Sequence, residues 1–298
     1  FILNTIKQMI KLKSILGSLE ECVIARMNID GNIILAKNRD RMYAPELEVI
    51  HELVNGVEMV YMHDVLTDWS EGMNSNGIGV LNASLSVVFD EKEGDLAKDK
   101  VEKGKSGKPS YDGLKIRTAL SNLKLPKAMR SIIHFRGEDK RDVGVKGMTI
   151  ISNPRMSFVI EMTSKHLPVI TRVKPEETIT RTNHGMSYPD AGYSDGLKRV
   201  SSNSRMDISK EKLAAINSAD EVLDTLSKQH VSDKFMNPYR RSNSFDIATS
   251  SQLLMDLTNL KFEFRHDAGN SVFKGYVNRL PKNYDPKIKV VIENTTDL

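Results

Sequence analysis

The residue best suited to nucleophilic chemistry is the single cysteine of the chain, Cys22. A thiol is more acidic and more nucleophilic than a serine hydroxyl. The stretch from Cys22 to Asp40 reads as a β-hairpin, with Asp30-Gly31 suited to the φ > 0 positions of a tight turn. The first strand is expected to start on the thiol and the second to end on Asn38-Arg39-Asp40. Folding the hairpin brings its ends together, so Cys22 and Asp40 are expected to be neighbours although 18 positions apart. A thiol held beside a carboxylate at paired strand ends is placed for nucleophilic attack. The competing reading is a small buried residue at a strand start.

This arrangement resembles the N-terminal nucleophile (Ntn) cysteine hydrolases. The similar groups are the choloylglycine hydrolases, penicillin V acylases and acid ceramidases, with the related penicillin acyltransferases. Five pieces match in order: Cys22; Asp40; Glu71-Gly-Met-Asn-Ser-Asn-Gly-Ile-Gly79 followed by Asn82; Thr180-Arg-Thr-Asn183-His184-Gly185; and Ser201-Ser-Asn-Ser-Arg205. The match runs loosely from Cys22 to about residue 280. It implies hydrolysis of a linear amide, with acyl transfer as a variant and no cofactor or metal. Cys22 would be the nucleophile and its own α-amine the base. An α-amine has a reference pKa of about 7.7–8.0, near working pH. Asp40 would contact the nucleophile and its amine. Asn82 would donate to the oxyanion, Asn183 would orient substrate or assist the same anion, and Arg205 would fix Asp40 or the thiolate. His184 and Lys37 would shape the substrate pocket. Taken alone, each asparagine is as readily a turn residue and Arg205 a partner for any carboxylate.

Two departures matter. Lys37 stands where the bile-salt and penicillin hydrolases usually carry an arginine, which keeps the charge and loses the fork. Residues 1–21 precede the cysteine, so a free amine requires cleavage between Glu21 and Cys22. Residues 1–21 are therefore read as an extension or propeptide, and 22–298 as the Ntn domain. Within the extension, Phe1–Leu16 has near-helical apolar spacing, equally consistent with a helix packed on the core. A papain-like pairing of Cys22 with His184 or His63 is a weaker reading, because nothing around Cys22 resembles a helix start.

Composition narrows the classes. The net charge of +4 over 298 residues, with both signs mixed, does not point to nucleic acid. One cysteine excludes an internal disulfide and a cysteine metal cluster, and no His-x-x-x-His pair occurs. No run approaches the roughly 18 apolar residues of a membrane helix, and lysines interrupt the N-terminal apolar stretch, so no membrane span and a cytoplasmic location are expected. The partner is a small-molecule amide, and a homo-oligomer is compatible with the sequence.

The elements that must position these residues are mixed. Asn38–Tyr61 reads as a loop followed by short apolar runs, and Glu71–Val87 as a turn feeding a buried strand. Lysine-rich Asp90–Pro109 reads as a surface loop. Leu114–Leu123, Lys127–Phe135 and Ile208–His230 are helical in pattern; Met148–Ile160 reads as a strand pair with a turn at Asn153-Pro154, Leu167–Val173 as another strand, and Lys261–Phe264 and Ile288–Ile292 as short apolar segments. Strands at both ends with helices between them give an α+β protein. The resemblance makes this a four-layer αββα sandwich with two packed antiparallel sheets and pocket walls from loops 41–68 and 86–112. The second functional reading is an uncleaved, non-catalytic protein that keeps this scaffold for interaction or assembly.

Overall fold

A computed structural model describes residues 20–41, 45–65, 67–85, 111–134, 144–163, 165–240, 247–266, 271–277 and 290–291. The expected helix of Phe1–Leu16 and the lysine-rich loop of Asp90–Pro109 lie outside the described residues.

The first sheet is built on the predicted hairpin. β1 (Glu20–Ile29) and β2 (Asn32–Arg41) pair along their whole length. Asp30 (φ 50°) and Gly31 (φ 83°) both take the left-handed conformation that the two-residue turn demands. The strand begins two residues before the cysteine, so the Glu21–Cys22 peptide bond lies inside β1 rather than at its edge. β10 (Ile179–Arg181), β11 (Ala248–Asp256), β12 (Lys261–His266) and β13 (Ser271–Tyr276) complete an antiparallel sheet in the order β10-β1-β2-β11-β12-β13.

The second sheet has the order β14-β3-β4-β5-β6-β7-β8-β9 and is also antiparallel. Its strands are β3 (Leu47–Val54), β4 (Val57–Asp64), β5 (Trp69–Asn74), β6 (Gly79–Ala83), β7 (Gly147–Ser152), β8 (Ser157–Met162), β9 (Val169–Val173) and β14 (Val290–Val291). Two readings of the sequence are corrected here. Residues 47–64 form a full hairpin about Asn55-Gly56, both at positive φ, where a loop and short apolar runs were expected. Glu71-Gly-Met-Asn is the end of β5, not a turn; the turn follows at Ser75–Gly77.

Helices cover the two outer faces. α1 (Tyr111–Leu120) and α2 (Leu125–Ile133) lie on the second sheet, where Asn74 Nδ2 donates to Leu120 O at 2.6 Å. Pro126 opens α2, where its missing N–H costs nothing, and Leu125, Ala128 and Ile132 bury one stripe. α3 (Gly196–Ala214) and α4 (Val222–Ser227) lie on the first sheet. The result is the expected α+β sandwich of four layers, αββα.

The hairpin's period of two divides its side chains between these layers. Cys22, Ile24, Ile33 and Leu35 join the core between the sheets. Ala25, Met27, Ile34 and Ala36 pack instead with Leu213, Leu223 and Leu226 beneath α3 and α4. On α3 the buried stripe is Ser201, Ser202, Arg205, Ser209 and Leu213. A core-facing stripe that is mostly polar stands out, because such a face is normally apolar.

Candidate active site

The register pairs Cys22 with Arg39 and Glu21 with Asp40. Opposed residues share a face, so the thiol and Arg39 point between the sheets while Glu21 and Asp40 point toward α3. The expected contact of the Cys22 thiol with the Asp40 carboxylate is therefore absent. What the thiol meets is Arg41, whose Nη1 stands 3.7 Å from Sγ. Arg39 ion-pairs with Asp64 of the facing sheet, and its Nε and Nη1 have no hydrogen-bond partner among the described residues.

The backbone of Cys22 is gripped from the side of β10 and α3. Its N–H donates to Asn183 Oδ1 at 2.8 Å, and its carbonyl accepts from Arg205 Nη1 at 3.1 Å. Asn183 Nδ2 donates to Ser84 O, so this side chain links the cysteine to the end of β6. Arg205 Nη2 also reaches Asn183 Oδ1 at 3.3 Å and Glu21 Oε2 at 2.9 Å.

Around Glu21 the structure forms a closed carboxylate cage. Oε2 takes Arg205 and stands 2.7 Å from Arg240 Nη1; Oε1 accepts from the Tyr193 hydroxyl at 2.7 Å. Glu21 and Cys22 are each 1% exposed, so the peptide bond joining them is shielded. Burial works to raise the Glu21 pKa, but Arg205, Arg240 and the Tyr193 hydrogen bond outweigh it and the pKa is lowered. For Asp40 burial wins and the pKa is raised, against the pull of Arg240 and Arg205, both 3.8 Å from Oδ2. Asp40 Oδ1 accepts from Thr249 at 2.7 Å, whereas Oδ2 has no hydrogen-bond partner among the described residues.

Lys37 and Asn82 are held across the sheets. Lys37 Nζ donates to both Glu71 oxygens, at 2.7 and 2.6 Å, and to Asn82 O at 2.7 Å. An ammonium has three donors, and all three of Lys37 are engaged within the protein. Glu71 Oε1 in turn accepts from the Asn82 N–H at 2.7 Å. Asn82 Nδ2 donates to Thr149 Oγ1 at 2.8 Å and Lys146 O at 3.2 Å, and buried Oδ1 has no hydrogen-bond partner among the described residues.

Neither histidine pairs with the thiol. His184 Nδ1 lies 2.8 Å from Ser202 Oγ and 3.1 Å from Thr182 Oγ1. Burial, then Arg199 and Arg205, lower its pKa to about 4, so the ring is neutral near pH 7. His63 neighbours Asp64 on β4; since Asp64 points between the sheets toward Arg39, His63 points outward, to Ser70 and Asp68. The Cys–His pairing is overturned by geometry.

No family model matches this sequence, and no curated protein matches it. Solved structures do. Two variants of the conjugated bile acid hydrolase from Clostridium perfringens superpose with TM-scores of 0.54 and 0.52 at 13% and 12% identity, covering 92% and 93% of this chain and 97% and 99% of theirs. Penicillin V acylase from Agrobacterium tumefaciens superposes with a TM-score of 0.51 at 11% identity, covering 87% of each chain. The chain has the Ntn-hydrolase fold. Within that fold, sequence reasoning missed Arg39, Arg41, Tyr193 and Arg240. The first two were available from strand parity: Lys37, Arg39 and Arg41 alternate, so all share the thiol's face. Tyr193 and Arg240 carried no local signal. No helix among the described residues is long and apolar enough to cross a membrane.

Proposed function

We propose that this chain is a thiol amidohydrolase whose nucleophile is Cys22, released as a chain terminus by cleavage of the Glu21–Cys22 bond. The observation that carries this reading is the grip on the Cys22 backbone by Asn183 and Arg205, in a fold shared with amide-cleaving enzymes. A core cysteine has no use for a buried guanidinium on its carbonyl.

The processing step runs as follows. The Cys22 thiol adds to the Glu21 carbonyl carbon, and the C–N bond breaks with the thiol proton passing to nitrogen. This leaves Glu21 as a thioester and Cys22 with an α-amine. Water adds to the thioester, the C–S bond breaks, the thiol re-forms and the N-terminal piece leaves as a carboxylic acid. The mature enzyme repeats this on an external amide. Its α-amine is the base, with Asn183 Oδ1 as its acceptor and Arg205 disfavouring a second positive charge beside it. The oxyanion takes Asn82 Nδ2, which exchanges Thr149 for the anion; one such donor is worth about 10²–10³ in rate. Attack on the thioester by an amine instead of water makes the reaction an acyl transfer.

Intact-mass spectrometry tests this. Wild-type protein held at neutral pH yields a chain beginning at Cys22, and Cys22→Ala stays full length. A wild-type chain that remains intact while hydrolysing amides overturns the proposal.

One observation favours a second reading. The β1–β2 ladder runs unbroken through Glu20, Glu21 and Cys22, and Glu21 anchors it from its cage. That is how an uncleaved, non-catalytic scaffold would be built. An intact chain without amidase activity selects this reading.

A further inference from the structure

Cleavage before Cys22 removes the occupant of a complete carboxylate site. The Glu21 side chain accepts from Arg205 and Tyr193 at 2.9 and 2.7 Å and ion-pairs with Arg240 at 2.7 Å, and both arginine side chains are buried, at 0% and 4% exposure. Without Glu21 the two guanidiniums are left with one carboxylate among the described residues, Asp40, whose Oδ2 stands 3.8 Å from each. Buried charge of one sign without a partner is strongly unfavourable, so the vacated cage selects an anion. Glu21 is also the acyl group of the enzyme's first turnover, because its carbonyl passes to the Cys22 thiol. On the cleavage reading a substrate acyl group joined to the same sulfur has its carbonyl where that of Glu21 lay, and from that carbonyl the Glu21 side chain passes to the α3 face while the thiol faces the space between the sheets.

We propose that the cage now filled by Glu21 becomes, after cleavage, the subsite for an acidic acyl group, so that the mature enzyme takes amides whose acyl chain ends in a carboxylate spaced as in glutamate. This rests on the cleavage reading. Arg240 and Tyr193 are then specificity-determining residues: they touch neither the thiol nor the Cys22 backbone, but hold the far end of the acyl chain. Arg240 is itself fixed by Ser201 Oγ at 2.9 Å and by the Phe235 ring, 4.6 Å from its guanidinium carbon. Such a pre-set donor loses little freedom on binding.

Glutarate is the glutamate skeleton without its amino group, and pentanoate is the same length with one carboxylate fewer. Calorimetric titration of both into the processed protein, confirmed by mass to begin at Cys22, tests the proposal. Glutarate is expected to bind about tenfold or more tightly than pentanoate at neutral pH. Full-length Cys22→Ala, whose cage still holds Glu21, binds neither. Processed Arg240→Leu loses the preference. Should that variant fail to fold or process, Tyr193→Phe carries the same test, reducing the preference about tenfold or more through one lost hydrogen bond to a charged group. Equal binding of the two acids, as expected if Arg205 and Arg240 turn onto Asp40 and close the cage, overturns the subsite and leaves the cleavage reading standing. So does glutarate binding to full-length Cys22→Ala. A wild-type chain that stays intact overturns both readings, and the mass spectrum distinguishes that outcome.

Discussion

Asp40 and the thiol of Cys22 lie on opposite faces of the hairpin that carries both. The carboxylate belongs to a charged cluster under α3, with Glu21, Arg205 and Arg240; the thiol belongs to the space between the sheets, beside Arg41. Arg205 joins the two halves, because it holds the Cys22 carbonyl while standing 3.8 Å from Asp40. Nucleophile and carboxylate are thus coupled through the backbone of Cys22, at the end where its amine would form.

Arg205→Lys should be nearly as damaging as Arg205→Ala. The acceptors Cys22 O, Glu21 Oε2 and Asn183 Oδ1 surround a fork, and a single ammonium cannot reach all three. Removing the charge takes one of the two guanidiniums from buried Glu21, and breaking such buried pairs costs about 3–5 kcal/mol. Urea unfolding should place lysine within about 1 kcal/mol of alanine, and both variants should process slowly. A lysine variant with wild-type stability and processing would show that charge alone matters there.

Lys37→Met should be strongly destabilising, by about 3–5 kcal/mol, because it leaves Glu71 buried with only the Asn82 N–H. The double variant Lys37→Met/Glu71→Leu should recover most of that loss, since well-packed apolar replacements of buried pairs are often neutral. Urea titration of the two singles and the double measures the coupling. Additive losses would mean that the pair does not act as a unit.

Much of this was open to a reader of the sequence. Asp30-Gly31 fixes Ile29 opposite Asn32, and counting back along both strands places Cys22 opposite Arg39 rather than Asp40. Asn55-Gly56 is likewise a strong hairpin signal, and residues 47–64 form that hairpin. The five matched pieces converge in part: Cys22, Asn183 and Arg205 meet directly, whereas Asn82 is reached through Ser84 and Lys37. The cage was not legible. Tyr193 and Arg240 lie 172 and 219 positions from Glu21, on irregular segments with no periodicity, and only the stacking of α3 on the sheet brings them together. The polar stripe of α3 was its one trace, visible as serines where an amphipathic helix would carry aliphatic residues.

His184 should make stability depend on pH. Its pKa falls from 6.5 to about 4 on folding, so between these values the unfolded chain binds the extra proton. Stability therefore rises with pH across that window and is lost as pH falls from 6.5 toward 4, by at most about 3 kcal/mol. Glu21 acts in the same sense lower down: its lowered pKa contributes stability above 4.5 that is lost as pH falls through the folded value. His184→Gln should flatten the slope between pH 6.5 and 4 in urea titrations and leave the loss below it. An unchanged slope would show that the ring is protonated in the folded protein.

The same histidine should not set the acidic limb of catalysis. In the processed enzyme the thiol proton must pass to the α-amine, or the pair must rest as thiolate and ammonium with the same proton count. In either case kcat/KM falls with pH as the coupled pair gains a second proton, and the limb belongs to the pair. His184 has its Nδ1 engaged by Ser202 and Thr182, makes no hydrogen bond with the thiol, and titrates near 4. His184→Gln should accordingly keep the limb, whereas acetylating the α-amine of Cys22 should abolish turnover by removing the acceptor. A limb that vanishes with His184, in an enzyme that survives acetylation, would assign the base to the imidazole and require it to move from its Ser202 contact to the thiol.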